Sequence, residues 1–312
     1  MAIKVRDYEV RLTRTKEERK LVRQLRYKVF VEEDGAVPTE EQKQLREEYD
    51  TYDRFADYMG VFHEGRIVGT YRIIDREAAE KLGGFYTESE YDLTKIKRVY
   101  GNIAEMSRAC VDPEYRENAL VMRMLWAGLG EYILKNQIKI IFGVASFIGT
   151  DPADFAREIS YLYYYHRSPL ALRATVREDL MGESVDRRLS QMDIMPRVFL
   201  NPAKIKPMLP PLVKGYMRLG ATFGKGVFID QPFNTVDVFV MLESKNIDRA
   251  YQKHFVGSET AFDHLGVPAS AFKTFGKIMS LPFKGLAAAA KFFLRDDADD
   301  AELVDEDKKE EE

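Results

Sequence analysis

Charged side chains stand in this chain where apolar ones would be building a core. Arg26 and Phe30 are four residues apart, so they share a helical face next to the apolar stripe Leu21, Leu25 and Val29. A guanidinium there must find carboxylates or bear a heavy desolvation penalty, and Glu48, Asp50 and Asp53 in the following polar stretch are the candidates. Arg72 falls among Tyr71, Ile73 and Ile74 of one strand-like run. Glu105 and Arg108 fall inside another, Ile103-Ala-Glu-Met-Ser-Arg-Ala-Cys-Val111. Three arginines and several carboxylates converging on one sheet face would form a buried network, and perturbed acids in a cleft are site candidates. The same residues also suit a charge network that only fixes the loop. Ser107 and Ser146 would line the cleft or serve as plain strand hydroxyls.

The elements that must hold these residues are readable in outline. Ile3 to Leu12 reads as a strand. Thr15-Lys-Glu-Glu18 has capping-box form and opens a helix ending near Val31. Residues 32 to 57 read as a long loop or short helices. Asp57 to His63, a turn at Glu64-Gly65-Arg66 and Ile67 to Ile74 predict a β-hairpin. Asn102 to Val111 is a strand ending at Asp112-Pro113. A Leu-, Met- and Ala-rich helix follows over 119–135, then an apolar run from Ile138 to Ser146 suited to a buried strand. Residues 152–207 read as a helical insertion, with a tyrosine-rich helix from Phe155 to His166. Leu209 to Leu219 is a helix, Gly220 to Gly226 a turn, and Val227 to Asp230 and Val236 to Leu242 are short strands. The order is that of an α/β fold, a mixed central sheet flanked by helices.

Composition narrows the function. The 312 residues are 45% hydrophobic and 31% charged, ordinary for a globular protein with a sizeable core. A net charge of −4 carries no nucleic-acid signature. The single cysteine, Cys110, excludes an internal disulfide, and no two of the four histidines stand at metal-ligand spacing, so no metal site is expected. The start, MAIKVRDYEV, lacks the apolar stretch of a signal peptide, and no run approaches the roughly 20 apolar residues of a membrane span. The expected location is cytoplasmic, with any membrane contact peripheral.

Residues 271–295 carry five basic and no acidic residues, interleaved with Phe, Leu, Ile and Met and interrupted by Pro282. Within a C-terminal extension over 257–295, this reads as a basic amphipathic segment that associates with an anionic membrane surface or docks on the protein itself. From Asp296 onward eleven acids face two lysines, the composition of a disordered tail over 296–312.

Arg26-x-x-x-Phe30, Asp50-x-x-Asp53, Arg72, Phe85 and Glu105-x-x-Arg108, in this order, resemble the pattern of acyl-homoserine-lactone synthases. Those are GNAT-fold enzymes that take acyl chains from acyl carrier protein. The phrases Glu105-Met-Ser-Arg-Ala-Cys-Val-Asp-Pro-Glu-Tyr-Arg116, Phe142-Gly-Val-Ala-Ser-Phe-Ile-Gly-Thr-Asp151 and Leu209-Pro-Pro-Leu-Val-Lys-Gly-Tyr-Met-Arg-Leu-Gly220 are more similar to a sister group. That group comprises the ornithine-lipid N-acyltransferases, with the related N-acyl amino acid synthases. The likeness covers residues 8 to 256 and implies a GNAT-like domain over 1–256.

The resemblance implies transfer of a 3-hydroxyacyl chain from the acyl-phosphopantetheine thioester of acyl carrier protein to the α-amine of ornithine, with no tightly bound cofactor. Glutamine or glycine as acceptor stays open, as does a lipid-binding relic, against which the intact set of Glu105, Arg26, Arg72 and Arg108 argues. A partner O-acyltransferase would complete the lipid. Glu105 matches the family's general base, Arg26, Phe30, Asp50, Asp53, Arg72, Arg108, Ser107 and Ser146 the substrate-binding network, and Cys110, Val111 and Arg116 the phosphopantetheine and oxyanion region. Ordinary GNAT enzymes cradle a pyrophosphate in a glycine-rich loop after this strand. Here Tyr115-Arg-Glu-Asn-Ala-Leu-Val121 has no glycine, a departure that a carrier-protein donor, which lacks the pyrophosphate, tolerates. Trp126 with Met122, Met124, Leu125 and Leu129 suits either core or acyl pocket, as do Tyr161 and Tyr163 to Tyr165.

Overall fold

The computed structural model describes residues 2–117, 119–182 and 186–245. The expected segments 257–295 and 296–312 lie outside the described residues. In chain order the elements are β1 (Ala2–Val5), β2 (Tyr8–Leu12), α1 (Lys16–Arg26), α2 (Glu40–Leu45), β3 (Asp57–His63), β4 (Arg66–Asp75) and α3 (Arg76–Leu82). They continue with β5 (Tyr91–Asp92), α4 (Thr94–Val99), β6 (Ile103–Val111), α5 (Ala119–Lys135), β7 (Ile140–Ile148) and α6 (Ala156–Tyr165). The last are β8 (Thr175–Val176), α7 (Pro202–Ile205), α8 (Pro211–Arg218), β9 (Thr222–Asp230) and β10 (Thr235–Glu243). The ten strands form a mixed sheet in the order β1-β2-β3-β4-β6-β7-β10-β9-β8-β5, which is the α/β architecture expected.

Several boundaries differ from the sequence reading for local reasons. The N-terminal strand is two, folded back as an antiparallel pair. The first α-helix stops at Arg26 and continues as a π-helical turn over Tyr27–Glu33, a form that inserts one extra residue and often accompanies functional sites. Gly224 and Gly226 belong to strand β9, not to a turn. Each is needed for close packing, since a Cβ would lie 2.9 Å from the Ala174 carbonyl oxygen at 224 and 2.2 Å from the Val176 side chain at 226. The 152–207 insertion is not wholly helical: it contributes β8, which joins the sheet between β9 and β5.

The two sheet faces have different covers. One is packed by α5: a Cβ on Gly128 would meet Met59 and Val10, and one on Gly69 would meet Val121 and Leu125. Over the other lies α1, whose Val22 and Leu25 cluster with Tyr58 and Cys110. Farther along that same face Ile74, Phe85, Tyr91, Ile96, Phe142 and Phe239 form a second cluster. Strands β6 and β7 run parallel, and they pair only from Ile103 to Glu105, opposite Ile140 to Phe142. Beyond that point β6 follows β4 and β7 follows β10, so the sheet forks. At the fork a Cβ on Gly143 would lie 2.4 Å from the Met106 carbonyl oxygen, so glycine alone allows this approach. Among the described residues no helix is long and apolar enough to cross a membrane.

Candidate active site

Strand alternation explains why the charges meet. Register places Arg72 opposite both Tyr58 and Ser107, and Ile74 opposite Glu105, so Tyr58, Arg72, Ser107 and Glu105 share the face under α1. Between the pairs Thr70–Cys110 and Arg72–Ser107, β6 holds one more residue than β4. Arg108 occupies that bulge with φ 51°, a left-handed conformation uncommon for a non-glycine residue. The bulge turns Arg108 to the same side as its neighbours.

The arginines then close a buried network with the 46–55 segment. Arg26 is fully buried. Its Nε donates to Glu48, its Nη1 to Asp53 at 3.0 Å and to the Tyr58 hydroxyl at 3.3 Å. Arg72, equally buried, donates from Nη1 to Asp50 at 2.6 Å and to Asp53 at 3.1 Å, and from Nε to Ser107 at 3.0 Å. Arg108 donates to Glu48 at 3.3 Å and Asp50 at 3.2 Å, with its guanidinium between the rings of Tyr86 and Phe233 at 4.5 and 4.4 Å. Phe30, in the π-helical turn, meets Phe233 edge-on. The arginine fields outweigh burial and hold the Asp50 and Asp53 carboxyls below their usual range. Three cations and three anions balance, so this set both fixes the loop and builds one wall of the site.

Glu105 is fully buried next to this network, and burial raises its carboxyl above the usual range, with Arg72 partly opposing. Its Oε2 accepts the Thr87 backbone N–H at 2.8 Å, while Oε1 has no hydrogen-bond partner. A buried carboxylate with one free oxygen can accept a proton from a bound group. The 3-10 turn Tyr86–Ser89 that supplies Thr87 was not foreseen from sequence. Its Tyr86 ring also lies 5.4 Å from the Arg72 guanidinium.

The remaining expected residues are placed around the fork. Ser107 is buried and accepts from Arg72. Ser146 is exposed on β7, opposite Asp237 of β10. The Cys110 thiol is packed in the α1 cluster, and burial pushes it far above its usual range, so it is no nucleophile. The Asp112 N–H donates to the Val68 carbonyl of β4 at 2.9 Å; alternation therefore aims the Val111 N–H away from β4, to the side where β7 has diverged. Arg116 donates from Nε to the Val111 carbonyl at 3.2 Å and pairs with Glu33, so it is an anchored rim residue. On the α5 face, Met106, Gly143, Trp126, Leu129 and Tyr216 line an apolar pocket of about 60 Å³ that reaches the fork.

Three further acids went unnoticed in the sequence. Glu90, Asp230 and Asp237 bring one carboxylate oxygen each to within 4.8 Å of the others, and among the described residues this is the group placed to hold a cation. Glu90 sits at the end of the Tyr86 turn, Asp230 ends β9 and Asp237 lies within β10, so only the folded sheet unites them.

Residues 25–127 match the acetyltransferase (GNAT) domain family, the segment that carries Arg26, the acidic loop, Arg72, Glu105 and strand β6. An L-ornithine N(alpha)-acyltransferase of Rhodobacter capsulatus is 33% identical over 262 residues, 82% of this chain and 97% of that protein. One from Brucella abortus is 35% identical, over 81% of this chain and 90% of its own. An N-acyl amino acid synthase from uncultured soil microbes is similar in structure at 14% identity and a TM-score of 0.44, covering 76% of this chain and 91% of its own. With identity of this level along most of both sequences, the chain belongs to the L-ornithine N(alpha)-acyltransferase family of GNAT acyltransferases.

Proposed function

We propose that this enzyme transfers a 3-hydroxyacyl group from the phosphopantetheine thioester of acyl carrier protein to the α-amine of ornithine, giving lyso-ornithine lipid. The observation that carries the reading is Glu105, buried beside the fork with Oε1 unpartnered. In the reaction the α-amine attacks the thioester carbonyl, directly assisted by Glu105 or through one water. The C–N bond forms, the amine proton passes to Glu105, and the tetrahedral oxyanion is met by the Val111 N–H at the diverged edge of β6. Collapse breaks the C–S bond, and the thiol leaves with the proton. A thiol leaves readily, so positioning supplies most of the catalysis and no covalent enzyme intermediate is needed.

The donor arm enters where β6 and β7 part, and the acyl chain runs toward the apolar pocket at Trp126, Met106 and Gly143. The absence of glycine from 115–121 favours a carrier-protein donor over coenzyme A. The amino-acid identity rests on the names of the relatives. The product is a lipid, which suits peripheral work at the inner face of the cytoplasmic membrane through 271–295 and a partner O-acyltransferase that completes the molecule.

The test is mass spectrometry of lipids from a bacterial host expressing the chain, beside a host expressing Glu105→Gln. A new amide-linked hydroxy-fatty ornithine with the wild type alone is expected. A hydroxy-fatty amide of another amino acid, or equal product from both hosts, overturns the reading.

A further inference from the structure

Glu90, Asp230 and Asp237 sit on the same sheet face as Glu105, one turn away from it. The Tyr86–Ser89 turn links the two places: Thr87 binds Glu105, Tyr86 stacks on Arg108, and Glu90 follows at the turn's end. Glu90 and Asp237 are 2% and 3% exposed. Neither oxygen of Glu90 has a hydrogen-bond partner, nor has Oδ1 of Asp237. Asp230 accepts the Phe233 N–H at 3.0 Å, which holds it at the edge of the group.

Ser146 and Thr235 beside Asp237, and Tyr86 beside Glu90, can supply hydroxyl hydrogen bonds but no positive charge. Buried carboxylates are strongly destabilising unless a cation or a proton joins them. Burial raises all three carboxyls, Asp237 to about 7, and repulsion from neighbouring carboxylates adds to it at Glu90 and Asp237. Arg108 opposes the rise at each of the three, but its own hydrogen bonds go to Glu48 and Asp50. The group therefore waits for a positive charge. Ser146, which bonds Asp237, is itself exposed, so the group borders solvent there.

We propose that Glu90, Asp230 and Asp237 form the subsite for the side-chain ammonium of a diamino-acid acceptor, a proposal that rests on the N-acyltransferase reading above. An ammonium offers three donors, one for each carboxylate. An atom at the centre of a triangle with the 4.8 Å limiting edge lies about 2.8 Å from each corner, the length of an ammonium–carboxylate hydrogen bond. Divalent cations ask for six or more oxygens at shorter range, whereas the neighbours here include the rings of Tyr86 and Tyr91. The subsite has a chemical consequence. Three carboxylates keep the side-chain amine protonated, so it cannot act as nucleophile, and the α-amine alone is left for Glu105. Selectivity between the two amines of the acceptor follows.

The experiment compares ornithine with norvaline, the same carbon chain without the terminal amine, as acceptors for the purified full-length enzyme and an acyl carrier protein thioester. Wild type is expected to show a KM for norvaline about 10²-fold or more above that for ornithine, the scale of an unpaired buried charge. In Asp237→Asn and Glu90→Gln the ornithine KM should rise by a similar factor, and the preference should shrink to a few-fold. These neutral isosteres relieve repulsion, so both should melt no lower than wild type; were one to fail to fold, the other and the wild-type comparison still decide. Variants that keep the full ornithine preference, a wild type indifferent to the terminal amine, or a stoichiometric divalent ion whose chelation raises the ornithine KM, each overturn the subsite alone. If wild type acylates neither amino acid and neither raises its melting temperature, the acceptor reading falls and the subsite with it.

Discussion

Burial and hydrogen bonding pull Glu105 in opposite directions: desolvation raises its carboxyl, while Arg72 and the Thr87 turn lower it, and burial wins. A base whose proton affinity is raised toward neutrality is better matched to an ammonium-derived proton than an ordinary surface glutamate. Because only the ionised form accepts a proton, kcat/KM should climb with pH above the usual glutamate value of 4.5, with a second rise as the amine itself loses its proton. Glu105→Gln should lower turnover by about 10²-fold or more and keep only the upper rise. A variant with near-normal turnover, or with both limbs intact, removes Glu105 from the role of base. Glu105 was legible in the sequence because charges interrupt the strand-like run from Ile103 to Val111. Glu90 and Asp237 were not: one follows a turn, the other alternates with valines like any solvated strand residue, and only in the folded chain are both buried.

At the level of elements, the 46–55 segment has little apolar surface and is held against the sheet by charge. Arg26 at the end of α1 and Arg72 in β4 reach it from two sides. Removing either cation leaves buried carboxylates unpaired, so Arg26→Ala or Arg72→Ala should destabilise the fold by about 3–5 kcal/mol near neutral pH. The pH dependence follows from the sign of the shifts. Asp50 and Asp53 titrate below their usual 3.8 in the folded chain, so their pairing is fully present above that value and is lost as pH falls below it. The gap in melting temperature between wild type and Arg26→Ala should be wide at pH 7 and narrow toward pH 3. Equal melting of the two proteins at pH 7 refutes a stabilising network. Helices α1, α5, α6 and α8, the 57–75 hairpin and the strands of the fork were readable from the sequence, whereas the short helices α3 and α4 were not. The bulge at Arg108 was not, because a regular strand would send residues 107 and 108 to opposite faces, and nothing in Ser-Arg-Ala announces a left-handed residue. The π-helical turn was likewise hidden, since Val29 and Phe30 fit an uninterrupted helix equally well.

For the molecule as a whole, substrate and product differ in where they reside. In the proposed reaction ornithine and a carrier-protein thioester are water-borne, but an acylated amino acid with a long chain partitions into a bilayer, so an enzyme that works at the surface releases product where it belongs. Among the described residues no helix is long and apolar enough to cross a membrane. The sequence over 271–295 places five cations and several large apolar side chains together with no opposing acid. Each cation near an anionic leaflet contributes roughly 1 kcal/mol, and inserted Phe and Leu side chains add apolar burial. The eleven acids from Asp296 onward are repelled by the same leaflet, so the contact should weaken as salt screens the lysines. Deleting residues 268–312 should therefore abolish co-sedimentation with vesicles rich in anionic lipid while leaving acylation of the amino acid in detergent largely intact. Full-length protein should lose its vesicle binding between low and high salt. Equal vesicle binding by truncated and full-length chains assigns the segment to the protein's own surface instead, and loss of activity in detergent on truncation makes it part of the catalytic domain.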